Sequence, residues 1–209
     1  MNEIPILLIG AGGHARACID VIEQEGRYKV EGLLGAPEEV GTFVLGYRVV
    51  GTNDDLPQFA TRIGCALVAV GQIMAPDVRI ELFTRLVRTG CALPSIVSPL
   101  GYVSRHSVIG DGSIVMHGAM VNAGTKVGRN CILNNRSLIE HDATVADHCH
   151  VATAATVNGG VRIGAGSFVG SGAIVRQGTT IGERCVIGMG QHVLKDCIDG
   201  EQLPRRSAG

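Results

Sequence analysis

Aliphatic residues recur with a period of six through the second half of the chain. From Tyr102 the sequence divides into 16 consecutive blocks of six residues, and the second residue of every block is Val, Ile or Leu. The sixth residue is small in most blocks, usually Ser, Ala, Thr or Cys. A period of six fits neither an amphipathic helix nor an alternating strand, and a short fixed repeat indicates a solenoid.

Each block predicts one short strand and one turn, and three blocks make an 18-residue rung of a triangular coil. The aliphatic second positions point into the coil and stack on the next rung, about 4.8 Å away. Cys131, Cys149 and Cys185 share one block position at multiples of 18 residues, with Ser167 between the last two. We therefore expect a buried ladder of small side chains along one corner.

The first hundred residues show a different pattern. An aliphatic strand at 6–9 runs into a glycine-rich loop and a helix at 15–25, which is followed by a strand at 30–34. A further strand is predicted at 67–70 and a helix at 77–89. This order of strand, glycine loop, helix and strand predicts a small α/β domain with a parallel sheet.

The change of rhythm predicts where the chain divides. Pro94 and Pro99 mark the junction, because proline punctuates strands rather than continuing them. We expect the α/β domain at 1–98, the coil at 99–197 and a tail at 198–209.

Composition and charge narrow the classes of function. The 209 residues include 18 Lys and Arg against 19 Asp and Glu, with four Phe, three Tyr and no Trp. Such a chain lacks the basic face and the stacking aromatics of nucleic-acid-binding proteins. No stretch approaches the roughly 18 apolar residues of a membrane span, and the N-terminus does not read as a signal peptide. We expect a cytoplasmic protein whose seven cysteines are free thiols.

The glycine loop after the first strand is a candidate binding site. Gly10, Gly12, Gly13 and His14 lie between a strand and a helix, where backbone N–H groups can hold a phosphate. The alternative is a tight turn without a ligand, with His14 as an ordinary residue of the first helical turn.

The end of the second strand argues against a dinucleotide site. Such a site needs an acidic residue there, about 20 residues after the glycines. This strand ends in residues 34–36, Leu-Gly-Ala, and Glu38 and Glu39 follow only later. The sequence thus favours a nucleoside diphosphate over NAD(P).

His141 is the candidate general base of the coil. It stands between Glu140 and Asp142, and Gly159 occupies the equivalent position one rung later, followed by Gly160. A histidine with a carboxylate partner beside a free backbone N–H suits acyl transfer, whereas the alternative is a hydrated turn.

Two further polar residues lie on neighbouring rungs, and the other histidines of the coil are expected in surface turns. Asn134 precedes His141 by seven residues and His150 follows it by nine. The histidines expected in surface turns are His106, His117, His148 and His192.

Four stretches of this sequence together resemble the NeuD/PglD-type bacterial sugar O- and N-acyltransferases. They are GAGGHAR at 10–16, LGYRVVGTNDDL at 45–56, SIVSP at 95–99 and the segment 134–164, which begins NNRSLIEHDATVADHCH. The resemblance implies a Rossmann-like N-terminal domain that binds a nucleotide sugar. It further implies a left-handed parallel β-helix, as a homotrimer that holds acetyl-CoA between adjacent subunits.

The resemblance also assigns roles in the coil. It implies that His141 is the catalytic base and Asp142 its carboxylate partner, that Asn134 and His150 contact the acceptor, and that Gly159 faces the thioester. Gly160 and Ser171 complete the expected contacts with acetyl-CoA.

In the N-terminal domain the resemblance places Gly10, Gly12, Gly13 and His14 near the nucleotide.

Mean hydropathy is positive at +0.27, which is consistent with apolar faces hidden in an oligomer.

The function implied is acetyl-CoA-dependent N-acetylation of a nucleotide-linked amino sugar, without a metal. Three alternatives stay open. The acceptor could instead be a sialic acid hydroxyl, or the coil could be a scaffold without catalysis. The third is a γ-type carbonic anhydrase, which shares the coil but needs a zinc-binding histidine spacing that this chain lacks.

Overall fold

The computed structural model describes residues 3–203, in which a mixed α/β domain leads into a triangular parallel coil. The α/β domain consists of β1 (Ile4–Ile9), α1 (Gly13–Glu25), β2 (Tyr28–Gly35), β3 (Phe43–Val44), β4 (Tyr47–Thr52), α2 (Leu56–Ile63), β5 (Ala66–Val68) and α3 (Asp77–Thr89). The sheet order is β3-β4-β2-β1-β5, and every pair is parallel except the β3–β4 hairpin.

The central strand β1 is buried on both faces because its side chains alternate between two cores. Ile6 and Leu8 pack with α1, whereas Leu7 and Ile9 pack with α2 and α3. Each of the three helices ends at a glycine in the left-handed conformation, with φ between 71° and 79°. The predicted strands and helices are all present, and the sequence analysis missed β3, β4 and α2.

The coil has three flat sheets made of two-residue strands. The first sheet contains β7 (Tyr102–Val103), β10 (Met120–Val121), β13 (Leu138–Ile139), β16 (Thr156–Val157), β19 (Ile174–Val175) and β22 (His192–Val193). The second contains β8 (Val108–Ile109), β11 (Lys126–Val127), β14 (Thr144–Val145), β17 (Arg162–Ile163) and β20 (Thr180–Ile181). The third contains β6 (Ile96–Val97), β9 (Ile114–Val115), β12 (Ile132–Leu133), β15 (His150–Val151), β18 (Phe168–Val169), β21 (Val186–Ile187) and β23 (Gln202–Leu203).

The register of the coil is the predicted one. Within the repeat each strand pairs with the strand 18 residues away, as Met120 does with Leu138. The aliphatic second positions form one continuous core through the coil.

The corner ladder is buried as expected, and its side chains also satisfy backbone carbonyls. Cys131, Cys149 and Cys185 direct their Sγ atoms at carbonyl oxygens of the next rung at 3.0–3.1 Å, and Ser167 Oγ does the same at 2.7 Å. A small side chain with a donor therefore suits this corner.

The coil begins with β6, which lies before the predicted boundary at residue 99. The last described strand, β23, lies within the predicted tail. Ile96–Val97 pairs with β9, and Gln202–Leu203 pairs with β21. Residues 204–209 of the predicted tail lie outside the described residues.

The α/β domain covers the first three strands of the third sheet. Its outward residues Ile96, Ile114 and Ile132 are fully buried in the same core as α1. The two domains are thus joined by an apolar interface that fixes the glycine loop beside the coil. Between residues 3 and 203 no helix is long and apolar enough to cross a bilayer.

Candidate active site

His141 and Asp142 form a hydrogen-bonded pair at the corner that follows β13. Asp142 adopts the left-handed conformation with φ 59°, and this turn brings its Oδ2 within 3.0 Å of His141 Nδ1. The His141 carbonyl accepts from the backbone N–H of Gly160 at 2.9 Å, which fixes the corner to the next rung. The imidazole itself is open, with 61% of the side chain exposed.

The carboxylate sets both the tautomer and the basicity of His141. With Nδ1–H donating to Asp142, the lone pair of Nε2 is free to accept a proton. The hydrogen bond to Asp142, aided by the charges of Asp142 and Glu140, raises the pKa of His141 above its usual value of 6.5.

Gly159 lies directly against the imidazole. A Cβ at this position would be 2.7 Å from both Cε1 and Nε2 of His141, so only glycine lets the ring lie here. In the described part of the chain, the Gly159 backbone N–H has no hydrogen-bond partner. The imidazole therefore lies against a residue that offers a backbone donor, and a base beside a donor is the pairing needed for attack on a carbonyl and for stabilising the oxyanion.

This close approach makes Gly159→Ala a test of the site. We expect the added methyl to push the imidazole away and to lower kcat about tenfold or more, since small displacements of a catalytic group are costly. The melting temperature should stay close to that of the wild type, because the displaced ring is exposed. Gln177→Ala, at the same corner one rung later, is the matched control, and steady-state kinetics with thermal melts give both quantities. An unchanged kcat for Gly159→Ala would contradict this geometry.

His150 lies on a different face and is held in one orientation by two domains. Its Nδ1 lies 2.6 Å from the carbonyl oxygen of Gln72, and its Nε2 lies 3.2 Å from Asn134 Nδ2. Nδ1–H therefore donates to the carbonyl, and Nε2 accepts from the amide. Burial lowers the pKa of His150 to about 4, so the ring is neutral.

His14 lies in the first turn of α1 and faces the same cavity. Gly13, His14, Gly71, Asn134 and His150 all line this space of about 450 Å³ between the domains. Burial, followed by the positive charge of Arg79, lowers the pKa of His14 to about 3. This part of the site therefore presents neutral imidazoles.

The glycine loop forms a second, adjoining cavity of about 380 Å³, which Gly10, Gly12 and Gly13 line together with His14. Gly12 caps α1 without a side-chain hydrogen bond, so the first N–H groups of a 13-residue helix are available to a ligand. That arrangement suits an anion such as a phosphate.

All but one of the predicted site residues thus fall into two groups within one chain. The glycine loop, His14, Asn134 and His150 come together where the domains meet, whereas His141, Asp142 and Gly159 occupy another corner of the coil. Ser171 lies apart from both and lines an apolar cavity of about 610 Å³ with Ile73, Met74 and Phe168 among others.

His117 and His148 lie in turns as expected, but their side chains are half-buried and hold the domains together. His192 was also expected in a turn, and that expectation was wrong, because it lies in β22. His117 contacts Ser98 Oγ at 2.6 Å and Asp20 of α1 at 2.9 Å. Ser98 is only 1% exposed and lines none of the cavities described, so this set is an interdomain contact rather than a nucleophile. His148 packs edge-on against Phe83, with ring centres 5.6 Å apart.

Sequence reasoning missed Arg79, which is 1% exposed. Its guanidinium donates to the carbonyls of Val68 and Val70 at 2.8 Å and to that of Asn130 in the coil at 3.2 Å. The signal was present, because Arg79 occupies an inward position of α3 with Leu82, Phe83 and Leu86.

Comparisons with known families match both parts of the chain. Residues 5–86 match the PglD N-terminal domain. Residues 106–141 match the bacterial transferase hexapeptide of six repeats, and residues 160–195 match the hexapeptide repeat of succinyl-transferase.

Solved structures resemble the whole chain. PerB from Caulobacter crescentus, in complex with CoA and GDP-perosamine, is 30% identical over 98% of this chain and 96% of its own, with a TM-score of 0.88. The acetyltransferase domain of PglB from Neisseria gonorrhoeae, in complex with acetyl coenzyme A, is 28% identical over 97% of both chains, with a TM-score of 0.87. WeeI from Acinetobacter baumannii, at 21% identity and a TM-score of 0.74, shows the fold alone.

These likenesses confirm the predicted fold class. A small Rossmann-like domain precedes a left-handed parallel β-helix built on hexapeptide repeats.

Proposed function

The chain belongs to the NeuD/PglD-type family of bacterial sugar acyltransferases, and on that premise we propose that it transfers the acetyl group of acetyl-CoA to the amino group of a nucleotide-linked amino sugar. The observation that carries the proposal is the His141–Asp142 pair, whose Nε2 side lies against Gly159, a residue whose amide has no hydrogen-bond partner among residues 3–203. PerB and the PglB domain, bound to CoA with GDP-perosamine and to acetyl coenzyme A respectively, support both substrates.

The reaction needs one base and one oxyanion donor. The sugar nitrogen attacks the thioester carbonyl carbon, and His141 Nε2 takes the proton that the nitrogen loses. Asp142 stabilises the imidazolium that forms, and the Gly159 N–H donates to the developing oxyanion. As the carbon–sulfur bond breaks, the imidazolium returns the proton to the sulfur, so that CoA leaves as the thiol.

The acceptor is held by the α/β domain. The free N–H groups at the start of α1 bind its diphosphate, and Gly10, Gly12 and Gly13 let the ligand approach the backbone. His14, Asn134 and His150 line the next cavity and contact the sugar. On this proposal residues 1–98 bind the acceptor and residues 99–197 carry the chemistry.

The separation of the two groups of residues within one chain favours a site shared between subunits. The first sheet of the coil presents Tyr102, Met120 and Ile174 outward, and they are 53%, 45% and 41% exposed. The second sheet begins with the exposed Val108 but carries Lys126 and Arg162 at later outward positions. A second copy packed on the apolar first sheet would lie beside His141, and three such contacts close a homotrimer.

The donor then lies between coils. Gly159 and Gly160 face its thioester, and the apolar cavity at Ser171 takes the pantetheine chain. These assignments require the partner subunit, because His141 and Ser171 occupy different corners.

The acid limb of the pH profile tests the role of Asp142. The rate falls as pH drops through the pKa of His141, because the protonated ring cannot accept a proton. Since Asp142 raises that pKa, Asp142→Asn should move the limb to lower pH and reduce the plateau of kcat/KM. Asp147→Asn, which removes a carboxylate paired with Arg129, is the control. A limb that stays in place, or that moves to higher pH, would contradict this role.

A panel of acceptors tests the proposed function. Acetyl-CoA is incubated with UDP-, dTDP- and GDP-linked amino sugars and with free sialic acid, and CoA release is followed. We expect release with at least one nucleotide-linked amino sugar. Release with sialic acid alone would assign the enzyme to O-acetylation, and no release with any acceptor would contradict the proposal.

A further inference from the structure

An acidic side chain reaches the carboxyl end of β2, although the strand itself ends in glycine. After Gly35 the chain turns through a short 3₁₀ helix at Pro37–Glu39. This turn returns the Glu39 carboxylate to the strand end, where Oε2 accepts a hydrogen bond from the Ala36 backbone N–H at 2.8 Å. The acid that sequence reasoning found missing is therefore supplied in space by a later residue.

Gly35 makes the room for that carboxylate. A Cβ at Gly35 would lie 2.6 Å from Glu39 Oε2 and 3.2 Å from the Cβ of Ala11 in the glycine loop. Glu39 thus fills the gap between β2 and the loop, and it lines the cavity that the loop glycines form. The backbone N–H of Gly10 donates to the Leu34 carbonyl at 2.7 Å, which fixes the loop against the same strand end.

Two acceptor oxygens in this cavity have no donor. In the described range of residues, Glu39 Oε1 makes no hydrogen bond or ion pair. Asn53, which follows the neighbouring strand β4, lines the same cavity with a buried Oδ1 that also lacks a partner. Asn53 Oδ1 is a buried acceptor, and buried acceptors normally find donors, whereas Glu39 is half-buried and a ligand can reach its carboxylate from the cavity. Together they indicate a ligand that brings hydroxyl or N–H groups.

We infer that Glu39 accepts a hydrogen bond from the ribose 2′-hydroxyl of the acceptor, so that the enzyme selects ribonucleoside over 2′-deoxyribonucleoside diphosphate sugars. This inference rests on the proposed function. With the diphosphate at the start of α1, the ribose lies toward the end of β2, where an acid in this kind of fold meets the ribose hydroxyls. The carboxylate is pre-organised for that contact because the Ala36 N–H already holds one of its oxygens.

The chain contains a matched control for the capping role of Glu39. At the end of β4, Asp55 Oδ2 accepts from the Thr52 backbone N–H at 2.8 Å, three residues back as for Glu39. Asp55 does not line the glycine-loop cavity. The Asp55→Ala variant therefore measures the effect of losing such a hydrogen bond on the structure, without removing a side chain from the cavity.

The test is a set of dissociation constants measured by calorimetry without acetyl-CoA. GDP and 2′-deoxy-GDP, and UDP and 2′-deoxy-UDP, are titrated into the wild type, Glu39→Gln, Glu39→Ala and Asp55→Ala. We expect the wild type to bind the ribose member of the better pair about tenfold more tightly, as one hydrogen bond to a charged acceptor allows. The preference should fall below about threefold in Glu39→Gln, whose amide oxygen can keep the cap, and vanish in Glu39→Ala. Asp55→Ala should retain it.

The outcomes separate this inference from the proposed function. A wild type that binds both members of each pair equally, or a Glu39→Ala variant that keeps the preference while its melting curve is cooperative, overturns the role of Glu39 and leaves the acceptor class standing. A folded wild type that binds none of the four nucleotides overturns the role of Glu39, and the acceptor panel then decides the proposed function separately.

Discussion

His141→Ala should lower kcat and kcat/KM together by about 10²–10⁴-fold, the range typical of a lost general base. The imidazole acts only on the proton that moves in the transition state, so KM for acetyl-CoA should change little. The coil should stay intact, because the side chain is exposed and its removal leaves the backbone hydrogen bond to Gly160 in place. Steady-state kinetics on the acceptor found by the panel give both constants.

His106→Ala is the control for that variant, since His106 is an exposed histidine at the same corner of the coil. His148 on the neighbouring turn is unsuitable, because its contact with Phe83 joins the two domains. A His141→Ala enzyme that turns over within a factor of three of the wild type would show that another group is the base.

Met120→Glu combined with Ile174→Glu should convert the proposed trimer to monomers and remove almost all activity. Two carboxylates on the apolar first sheet would have to be buried unpaired at the interface, which costs far more than a subunit contact can supply. The monomer should remain folded, because both side chains point outward from the coil. Analytical ultracentrifugation and the CoA-release assay measure the two effects.

Val108→Glu is the matched control, because Val108 is an exposed aliphatic residue on the second sheet and is 62% exposed. Mixed trimers provide a second check. Subunits that carry His141→Ala and subunits that carry His150→Asn should regain activity when they are refolded together. Some shared sites then receive His141 from a His150→Asn subunit and His150 from a His141→Ala subunit. A fully active monomer, or the absence of any recovery, would contradict a shared site.

The coil could be predicted in detail because the same six-residue pattern recurs along its sequence. Every six residues supply one inward aliphatic side chain and one corner, so the register and the cysteine ladder follow from counting. The α/β domain was less regular. The β3–β4 hairpin turns at Leu45 and Gly46, both with positive φ, and β3 has only two residues, too few to show a hydrophobic period.

The candidate site shows the same contrast. The relation between His141 and Gly159 follows from the 18-residue rung, so the sequence placed them together. Contacts between the domains have no such rule. The hydrogen bonds between His150 and Gln72 and between Arg79 and Asn130 join residues far apart in the sequence, and no sequence pattern predicts such pairs. Glu39 was discounted because the acid was expected at the strand end rather than after a turn.

The most direct measurement of the central claim is the fate of the acetyl group. Wild-type enzyme, isotopically labelled acetyl-CoA and the preferred nucleotide-linked amino sugar are incubated, and the products are analysed by mass spectrometry and NMR. We expect one labelled acetyl group on the sugar nitrogen for each CoA released, no labelled protein, and loss of both products in His141→Ala. Label on a sugar hydroxyl, a stable acetyl-enzyme, or equal product from His141→Ala would contradict that claim.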